Sequence, residues 1–287
     1  MIKTLKLGCQ VSIAGKIYDA IERASHLGCN TMQIFARNPR QWRKGCLAEE
    51  DIKIFKEKVK IANIKPVVVH IPYTLNLAAT KESFHKITIR EFTQDLLEAD
   101  KLGVEHLVTH MGSYKGSTEE KGLLKIVKAL KKILAAANEA KTMLLLENTS
   151  GSGSWLGYKF SHHKFILEGL NWPQNIGLCL DTAHCFAAGY AIDSQSGLDE
   201  LIAEIDEQVG LERLKVIHLN DTREKLGSLK DRHCDIGRGN IGKKGFHSIV
   251  NHPALCNLPF ILETPKDNEE DDLRNIAVVK ELYDGIL

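Results

Sequence analysis

Short apolar runs of strand length recur along the whole chain and alternate with longer amphipathic segments. The runs are rich in Val, Ile and Leu, as is typical of buried parallel strands. They lie near residues 5–11, 31–35, 67–71, 105–110, 142–147, 176–181, 214–219 and 259–263. Between them, apolar side chains recur every three or four residues, which indicates helices. The clearest helical segments are 17–27, 51–62, 83–102, 121–140, 162–170, 199–209 and 269–283.

This alternation of eight strands with helices in 287 residues predicts an α/β fold, a single parallel (β/α)8 TIM barrel domain over residues 1–287. An open doubly wound sheet would more often carry a glycine-rich phosphate turn after its first strand, and no GxGxxG motif follows the first run. Two connections, residues 148–159 and 221–244, are long and rich in Gly and Ser. In a barrel such loops lie on the C-terminal face of the strands, where function is usually found.

Six of the eight runs end on a side chain that can bind a metal ion. One histidine at one strand end is more often a hydrogen-bonded polar residue than a ligand, but six such endings at intervals of about 40 residues are not expected by chance. Because barrel strands end on one rim, these side chains should converge there. They are His70, His110, Glu147, Asp181, His218 and Glu263.

Three further candidates, His184, Asp231 and His233, stand just beyond strand ends. Imidazole nitrogen and carboxylate oxygen are ligands that suit Zn, Mn or Fe, and the combined set is large enough for two or three ions that share a carboxylate. Neighbouring metal ions activate water and stabilise the leaving oxygen of a phosphodiester. Since the chain shows no Ser-His-Asp or Cys-His nucleophile motif, metal-bound hydroxide is the expected attacking group.

Charge and cysteine content narrow the picture only a little. Lys and Arg number 38 and Asp and Glu 37, so the net charge of +1 neither supports nor excludes a polyanionic partner. The cysteines are scattered and form no CxxC pair, which is typical of reduced thiols. No apolar stretch approaches the ~20 residues needed to cross a bilayer. We therefore expect a cytoplasmic protein without a membrane segment.

The segments that carry these ligands resemble the endonuclease IV family of abasic-site (AP) endonucleases. The resemblance runs from about residue 6 to about residue 264, nearly the whole chain, and its segments are far more specific than a single short motif. They are LENT at 146–149 with the Gly/Ser-rich stretch 151–157, LDTAHCFAAGY at 180–190, HLND at 218–221 and DRHCDIGRGNIG at 231–242.

The resemblance implies a barrel that binds three zinc ions, one of which Mn²⁺ could replace. Glu147 would bridge the first two ions, and Glu147 and Glu263 are the expected catalytic carboxylates. By position, the three ligand sets are His70, His110 and Glu147; Glu147, Asp181, His218 and Glu263; and His184, Asp231 and His233.

The activity implied by the resemblance is DNA base-excision repair. The family hydrolyses the phosphodiester bond 5′ to an abasic site in double-stranded DNA, leaving 3′-hydroxyl and 5′-deoxyribose phosphate ends. It also trims blocked 3′ ends as a 3′-phosphodiesterase and 3′-phosphatase. A missing base lowers the stacking energy that resists flipping of a nucleotide, which is one source of selectivity. We expect the enzyme to act as a monomer.

In the family, loops after the second and third strands enter the DNA. By position, the resemblance implies DNA contacts by Arg40, Gln41, Tyr73 and Asn76. A guanidinium and a phenol ring can fill an emptied base stack, although a solvated arginine and a half-buried tyrosine are the ordinary interpretation of such residues. Other basic residues of the loops after strands two and seven could follow the phosphates. They are Arg37, Arg43, Lys44, Arg223, Lys225, Lys230, Arg232, Arg238, Lys243 and Lys244.

Two positions depart from the family pattern, and two other functions compete with the nuclease. Gln10 stands where histidine is common and Met111 where proline is common, and neither is a ligand candidate. The main rival is a xylose-isomerase-like sugar isomerase or epimerase on the same barrel, which uses a smaller ligand set and has no need of the ligands beyond the strand ends. A metal-containing DNA-binding protein without cleavage activity is the second rival, and the intact ligand carboxylates argue against it.

Overall fold

Eight parallel strands and the helices between them form one barrel in the computed structural model, which describes residues 4–35, 37, 47–268 and 270–285. All eight predicted strands are present, so the predicted (β/α)8 barrel is confirmed. The strands are β1 (Leu7–Cys9), β2 (Met32–Phe35), β3 (Val67–His70), β4 (His106–His110), β5 (Met143–Glu147), β6 (Ile176–Asp181), β7 (Leu214–His218), the hairpin strands β8 (Asp221–Thr222) and β9 (His233–Cys234), and β10 (Phe260–Leu262). The helices are α1 (Asp19–His26), α2 (Glu49–Ala62), α3 (Glu82–Leu102), α4 (Glu119–Ala136), α5 (Phe160–Gly169), α6 (Thr182–Ala188), α7 (Gln195–Gln208), α8 (Gly242–Asn251) and α9 (Asp271–Leu282).

Helices α6 and α8 are absent from the sequence pattern. α6 begins directly where β6 ends, because the Asp181 carboxylate caps it by accepting a hydrogen bond from the His184 N–H at 2.7 Å. α8 contains glycine, a poor helix former. At Gly245 a Cβ atom would come within 3.0 Å of the Asp193 Cα, so close packing explains the glycine there. Within the described ranges, no helix has both the length and the apolar character needed to cross a bilayer.

The barrel closes between β1 and β2. The strand order is β1-β10-β7-β6-β5-β4-β3-β2, and each neighbouring pair is parallel. At the seam Gln10 pairs with Gln33, and the Val11 N–H donates to the Gln33 carbonyl at 2.7 Å. The C-terminal ends of the strands therefore lie on one rim.

The barrel interior is built in layers of side chains. Successive side chains of a strand point to opposite faces, so the residue two positions further on points the same way. One buried layer of apolar side chains has six members. Each of them is followed, two residues later along the chain, by one of the six strand-end ligand candidates. The apolar layer is therefore the floor beneath them, and this geometry is the cause of the spacing in the sequence. Its members are Val68, Val108, Leu145, Cys179, Val216 and Ile261.

Candidate metal centre

Glu147 lies at the centre of the strand-end ligand candidates. Its carboxylate is fully buried at the end of β5. Oε2 lies 3.0 Å from His70 Nε2 and 2.9 Å from His110 Nε2, and Oε1 lies 3.0 Å from His218 Nδ1. Three imidazoles around one buried carboxylate form a donor set that suits a Zn-type ion.

The ligand atoms gather into three groups, and within each group they lie within 4.8 Å of one another. The groups overlap, since Glu147 belongs to two of them and so does Asp181. A carboxylate that belongs to two groups could bridge two neighbouring metal ions of the kind found in two-metal sites. The groups are His70, His110 and Glu147; Glu147, Asp181, His218 and Glu263; and Asp181, His184 and His233.

Asp231 connects the two histidines that lie outside the strand repeat. Its Oδ2 lies 3.2 Å from His184 Nε2, and its Oδ1 lies 3.3 Å from His233 Nε2. The Asp231 side chain is 49% exposed, whereas that of Asp181 is fully buried. The structure thus brings all nine predicted ligand residues to one rim, and Asp231 is the most exposed of them.

Backbone carbonyls fix the ring orientation of three of the histidines. A carbonyl can only accept, so the imidazole Nδ1 in each pair must carry the proton, and Nε2 is left to face the cluster. The acceptors lie in the same loops that carry the ligands, so the fold itself selects the tautomer. The pairs are His70 Nδ1 with the Ile71 carbonyl at 2.6 Å, His184 Nδ1 with the Asn148 carbonyl at 3.0 Å, and His233 Nδ1 with the Glu263 carbonyl at 3.3 Å.

The cluster holds its carboxylates ionised. Burial raises the pKa of Glu147, but His110 and His218 outweigh it and bring the pKa well below its ordinary value. At Glu263 burial also raises the pKa, but the nearby His218 outweighs this effect and lowers the pKa to about 2. Burial lowers the pKa of His184, yet neighbouring carboxylates, Asp181 foremost, raise it to about 10. A metal ion would displace protons from such imidazoles, so low pH favours the protonated, metal-free site.

Two asparagines that the sequence analysis did not single out orient the ligands. The Asn148 side chain donates to the Asp181 carbonyl at 3.1 Å and accepts from the Asp181 N–H at 2.7 Å. Asn220 donates to Asp181 Oδ2 at 2.6 Å and accepts from the Glu263 N–H at 2.8 Å. A signal was present in the sequence, since Asn148 directly follows Glu147 and Asn220 lies two residues after a ligand histidine.

A pocket of about 290 Å³ opens beside the loop ligands. Tyr73, 60% exposed, stands at its edge, and Trp155 meets the His110 ring edge-on with 5.8 Å between ring centroids. Trp155 was not predicted as a site residue, although it lies in the Gly/Ser-rich stretch of the sequence. The pocket is lined by Tyr73, His110, Thr149, Ser150, Ser152, Trp155, His184 and Asp231.

Of the four predicted DNA-contact residues, Tyr73 and Asn76 lie in the described part of the chain. Arg40 and Gln41 lie outside the described residues, as do Arg43 and Lys44. The Asn76 amide donates to the Ser113 carbonyl at 2.9 Å and accepts from the Ser113 N–H at 3.0 Å, which links the loops after β3 and β4.

The prediction that Arg37 follows DNA phosphates is wrong. Its guanidinium is 4% exposed and lies 3.0 Å from Glu91 Oε2 and 3.1 Å from Asp95 Oδ2 on α3. A buried and paired guanidinium cannot reach a phosphate without breaking a buried ion pair. Its ion pairs attach the chain just after β2 to α3 at this position.

A polar groove of about 620 Å³ continues from His233 along the loop after β7. Arg238 and Arg274 lie 3.4 and 3.2 Å from Asp235, so their charges are partly compensated. Arg223 and Arg232 also line the groove and form no ion pair within the described part of the chain. Their positive charges are therefore not compensated by a carboxylate among these residues.

The two positions that depart from the family pattern lie close to the site. The side-chain amide atoms of Gln10 are buried and have no hydrogen-bond partner among the described residues. Met111 is fully buried, and a Cβ atom at Gly157 would lie 3.2 Å from its sulfur. Met111 therefore supports the loop after β5 by packing.

Comparisons with known proteins agree on fold and family. The sequence model of the xylose isomerase-like TIM barrel matches residues 21–282. A probable endonuclease 4 of Methanoculleus marisnigri is 41% identical over 96% of this chain and 98% of its own length. The crystal structure of endonuclease IV from Thermus thermophilus superimposes with a TM-score of 0.86 at 33% identity, covering 96% of this chain and 98% of the other.

The barrel itself is shared more widely. A D-tagatose 3-epimerase-like protein superimposes with a TM-score of 0.73, covering 97% of each chain, at 18% identity. At that level of identity the likeness shows the fold alone, and the site must decide the chemistry.

Proposed function

The chain belongs to the endonuclease IV family, and from that membership we propose that it is a zinc-dependent AP endonuclease of DNA base-excision repair. It hydrolyses the phosphodiester bond 5′ to an abasic site and leaves 3′-hydroxyl and 5′-deoxyribose phosphate ends. It also removes blocking groups from 3′ ends. The proposed substrate is double-stranded DNA, and the enzyme acts as a cytoplasmic monomer.

The observation that carries this proposal is the group beyond the strand ends. Strand-end ligands alone would suit a sugar isomerase or epimerase on the same barrel. His184, Asp231 and His233 add a further group of donors, in which both Asp231 oxygens approach an imidazole nitrogen within about 3.3 Å. An extra metal ion on the solvent side of the rim is of use in neutralising a phosphodiester.

The nine residues would hold three zinc ions. His70, His110 and Glu147 would bind one ion, and Glu147 would share a second with Asp181, His218 and Glu263. The third would lie between His184, Asp231 and His233. Bound ions supply Lewis-acid chemistry and lower the pKa of water. The Asp181 carboxylate is held by Asn220, and the Glu147 carboxylate by imidazoles, so the ligand atoms are placed before any ion binds.

DNA would lie across the rim and beside the pocket. Tyr73 is placed to replace a missing base, and Arg223 and Arg232 to contact phosphates. The pocket of about 290 Å³ that Trp155 lines beside His184 and Asp231 is small, so a nucleotide without a base is a better fit than an intact one.

The test is an incision assay on a duplex with one stable abasic analogue, labelled at each end in turn. We expect one cut on the 5′ side of the abasic residue, a product end that a DNA polymerase can extend, and no cut in the matched intact duplex. The same preparation is incubated with ketose sugars. Sugar epimerisation with an intact duplex at enzyme excess would overturn the proposal.

A further inference from the structure

Gln33 is a buried side chain inside the ligand layer that is not one of the nine ligand candidates. It lies on β2, is fully buried, and points into the barrel between two of the ligands. Its Nε2 lies 2.6 Å from Glu263 Oε1, and its Oε1 lies 2.8 Å from His218 Nε2. One neutral amide therefore bridges a ligand carboxylate and a ligand imidazole.

The direction of both hydrogen bonds follows from which groups can donate. An ionised carboxylate only accepts, so the amide NH₂ of Gln33 must face Glu263. The amide carbonyl then faces His218, and because a carbonyl only accepts, the imidazole must donate from Nε2. Nε2 therefore keeps its proton, and Nδ1 is the ring nitrogen that would give up its proton to bind a metal ion. Nδ1 is the ring atom that lies 3.0 Å from Glu147 Oε1 and 3.2 Å from Glu263 Oε2.

His218 differs in this respect from the other ligand histidines whose outer nitrogen has a partner. His70, His184 and His233 donate from Nδ1 to backbone carbonyls and present Nε2 to the cluster. His218 presents Nδ1, and its outer nitrogen meets a side chain. A backbone partner cannot be removed by mutation, whereas Gln33 can be replaced.

The seam of the barrel holds Gln33 in this position. Its carbonyl accepts from the Val11 N–H at 2.7 Å, and it pairs with Gln10 where β1 and β2 meet. Gln33 is therefore fixed by strand pairing, and its amide can direct the two ligands instead of following them.

We propose that Gln33 is a positioning residue that fixes the tautomer of His218 and the orientation of Glu263, so that both direct a free donor atom to the ion shared by Glu147, Asp181, His218 and Glu263. This inference rests on the proposed function in that the group must bind a metal ion. It goes beyond that function in assigning a role to a residue that binds neither metal nor DNA.

The experiment is a metal titration of the metal-free full chain with Zn²⁺ against a competing chelator, comparing the wild-type protein with Gln33→Leu and Gln33→Glu. Gln33→Leu removes both hydrogen bonds. Gln33→Glu keeps the volume and the fold but places an acceptor against Glu263. For both variants we expect one class of site to weaken by about 10- to 100-fold, the size seen when partners of metal ligands are removed, while the remaining sites keep their affinity.

The matched control is Thr31→Val, just before β2. Thr31 is also fully buried, but its hydroxyl donates to the Pro66 carbonyl and does not touch the ligands. It should leave every zinc affinity unchanged even if it lowers the melting temperature. Unchanged zinc affinities in folded Gln33→Glu, or equal weakening in Thr31→Val, would overturn the role of Gln33. A wild-type chain that binds no zinc would instead overturn the proposed function.

Discussion

The strand-end ligands and the loop ligands of the rim are positioned by different parts of the chain. Glu147 and Asp181 are fully buried at the ends of paired strands, directly above the apolar layer of the barrel. Asp231 and His233 stand on the loop after β7, and the Asp231 side chain is 49% exposed. The strand-end residues are held in place by strand pairing around the barrel. Asp231 and His233 depend instead on the local contacts of one loop.

Asp221 is the main local contact of that loop. Its buried carboxylate accepts four backbone N–H bonds at 2.8 to 3.2 Å, and a Cβ atom on Gly239 would come within 2.3 Å of it. On α9, Asn275 accepts from the Ile236 N–H at 2.8 Å. The barrel strands therefore position one set of metal-ligand candidates, and the long loop after β7, with its own anchors, positions Asp231 and His233.

The largest effect is expected from Glu147→Gln. The substitution keeps the shape but removes the charge that would serve two ions, so we expect incision to fall by about 1,000-fold or more with a loss of bound zinc. Glu139→Gln, on an exposed position, is the control and should match the wild-type rate. If Glu147→Gln cleaves normally, the strand-end group is not the catalytic centre.

A smaller effect on activity is expected from Asp231→Asn. The variant loses the charge between His184 and His233, so incision should fall by about 100-fold. Because Asp231 is half exposed and pairs with two imidazoles, the free energy of unfolding of the metal-free protein should fall by no more than about 1 kcal/mol. Chemical denaturation and the incision assay measure the two quantities. A large loss of stability would mean that Asp231 is structural.

The smallest effect on incision is expected from Asp221→Asn, because Asp221 touches no ligand atom. An amide offers one oxygen to the four N–H groups, so the free energy of unfolding should fall by about 1–3 kcal/mol. Incision should drop by about 10-fold and recover when zinc is added, since only the loop ligands are misplaced. Asp193→Asn, on an exposed position, is the control. Failure of zinc to restore activity would show that the loop and strand groups are not independent.

The strands and the strand-end ligand candidates could be predicted from the sequence, because they repeat at regular intervals along the chain. The apolar strands and the ligands two residues beyond the floor layer follow from strand alternation, so their pattern is visible along the chain. Gln33 was not predicted because its role depends on closure of the barrel, which brings β2 beside His218 and Glu263 from distant parts of the chain.

The wrong prediction for Arg37 and the missed helix α6 also depend on features that local sequence periodicity does not express. Arg37 was predicted to face DNA because basic residues cluster in its loop, yet Glu91 and Asp95 on α3 bury and pair it. Helix α6 was absent from the pattern because its cap, Asp181, is also the last residue of a strand. Long-range pairing and residues with two roles are not expressed in local periodicity.

The most direct test of the account is the number of zinc ions per folded chain, measured by native mass spectrometry of the wild-type protein after removal of loosely bound metal. Three ions are expected, because the strand-end residues form two overlapping groups, and His184 and His233 form a third with Asp181 that Asp231 approaches. A single bound ion per chain would contradict this expectation, because one ion with about four ligands cannot account for nine converging side chains.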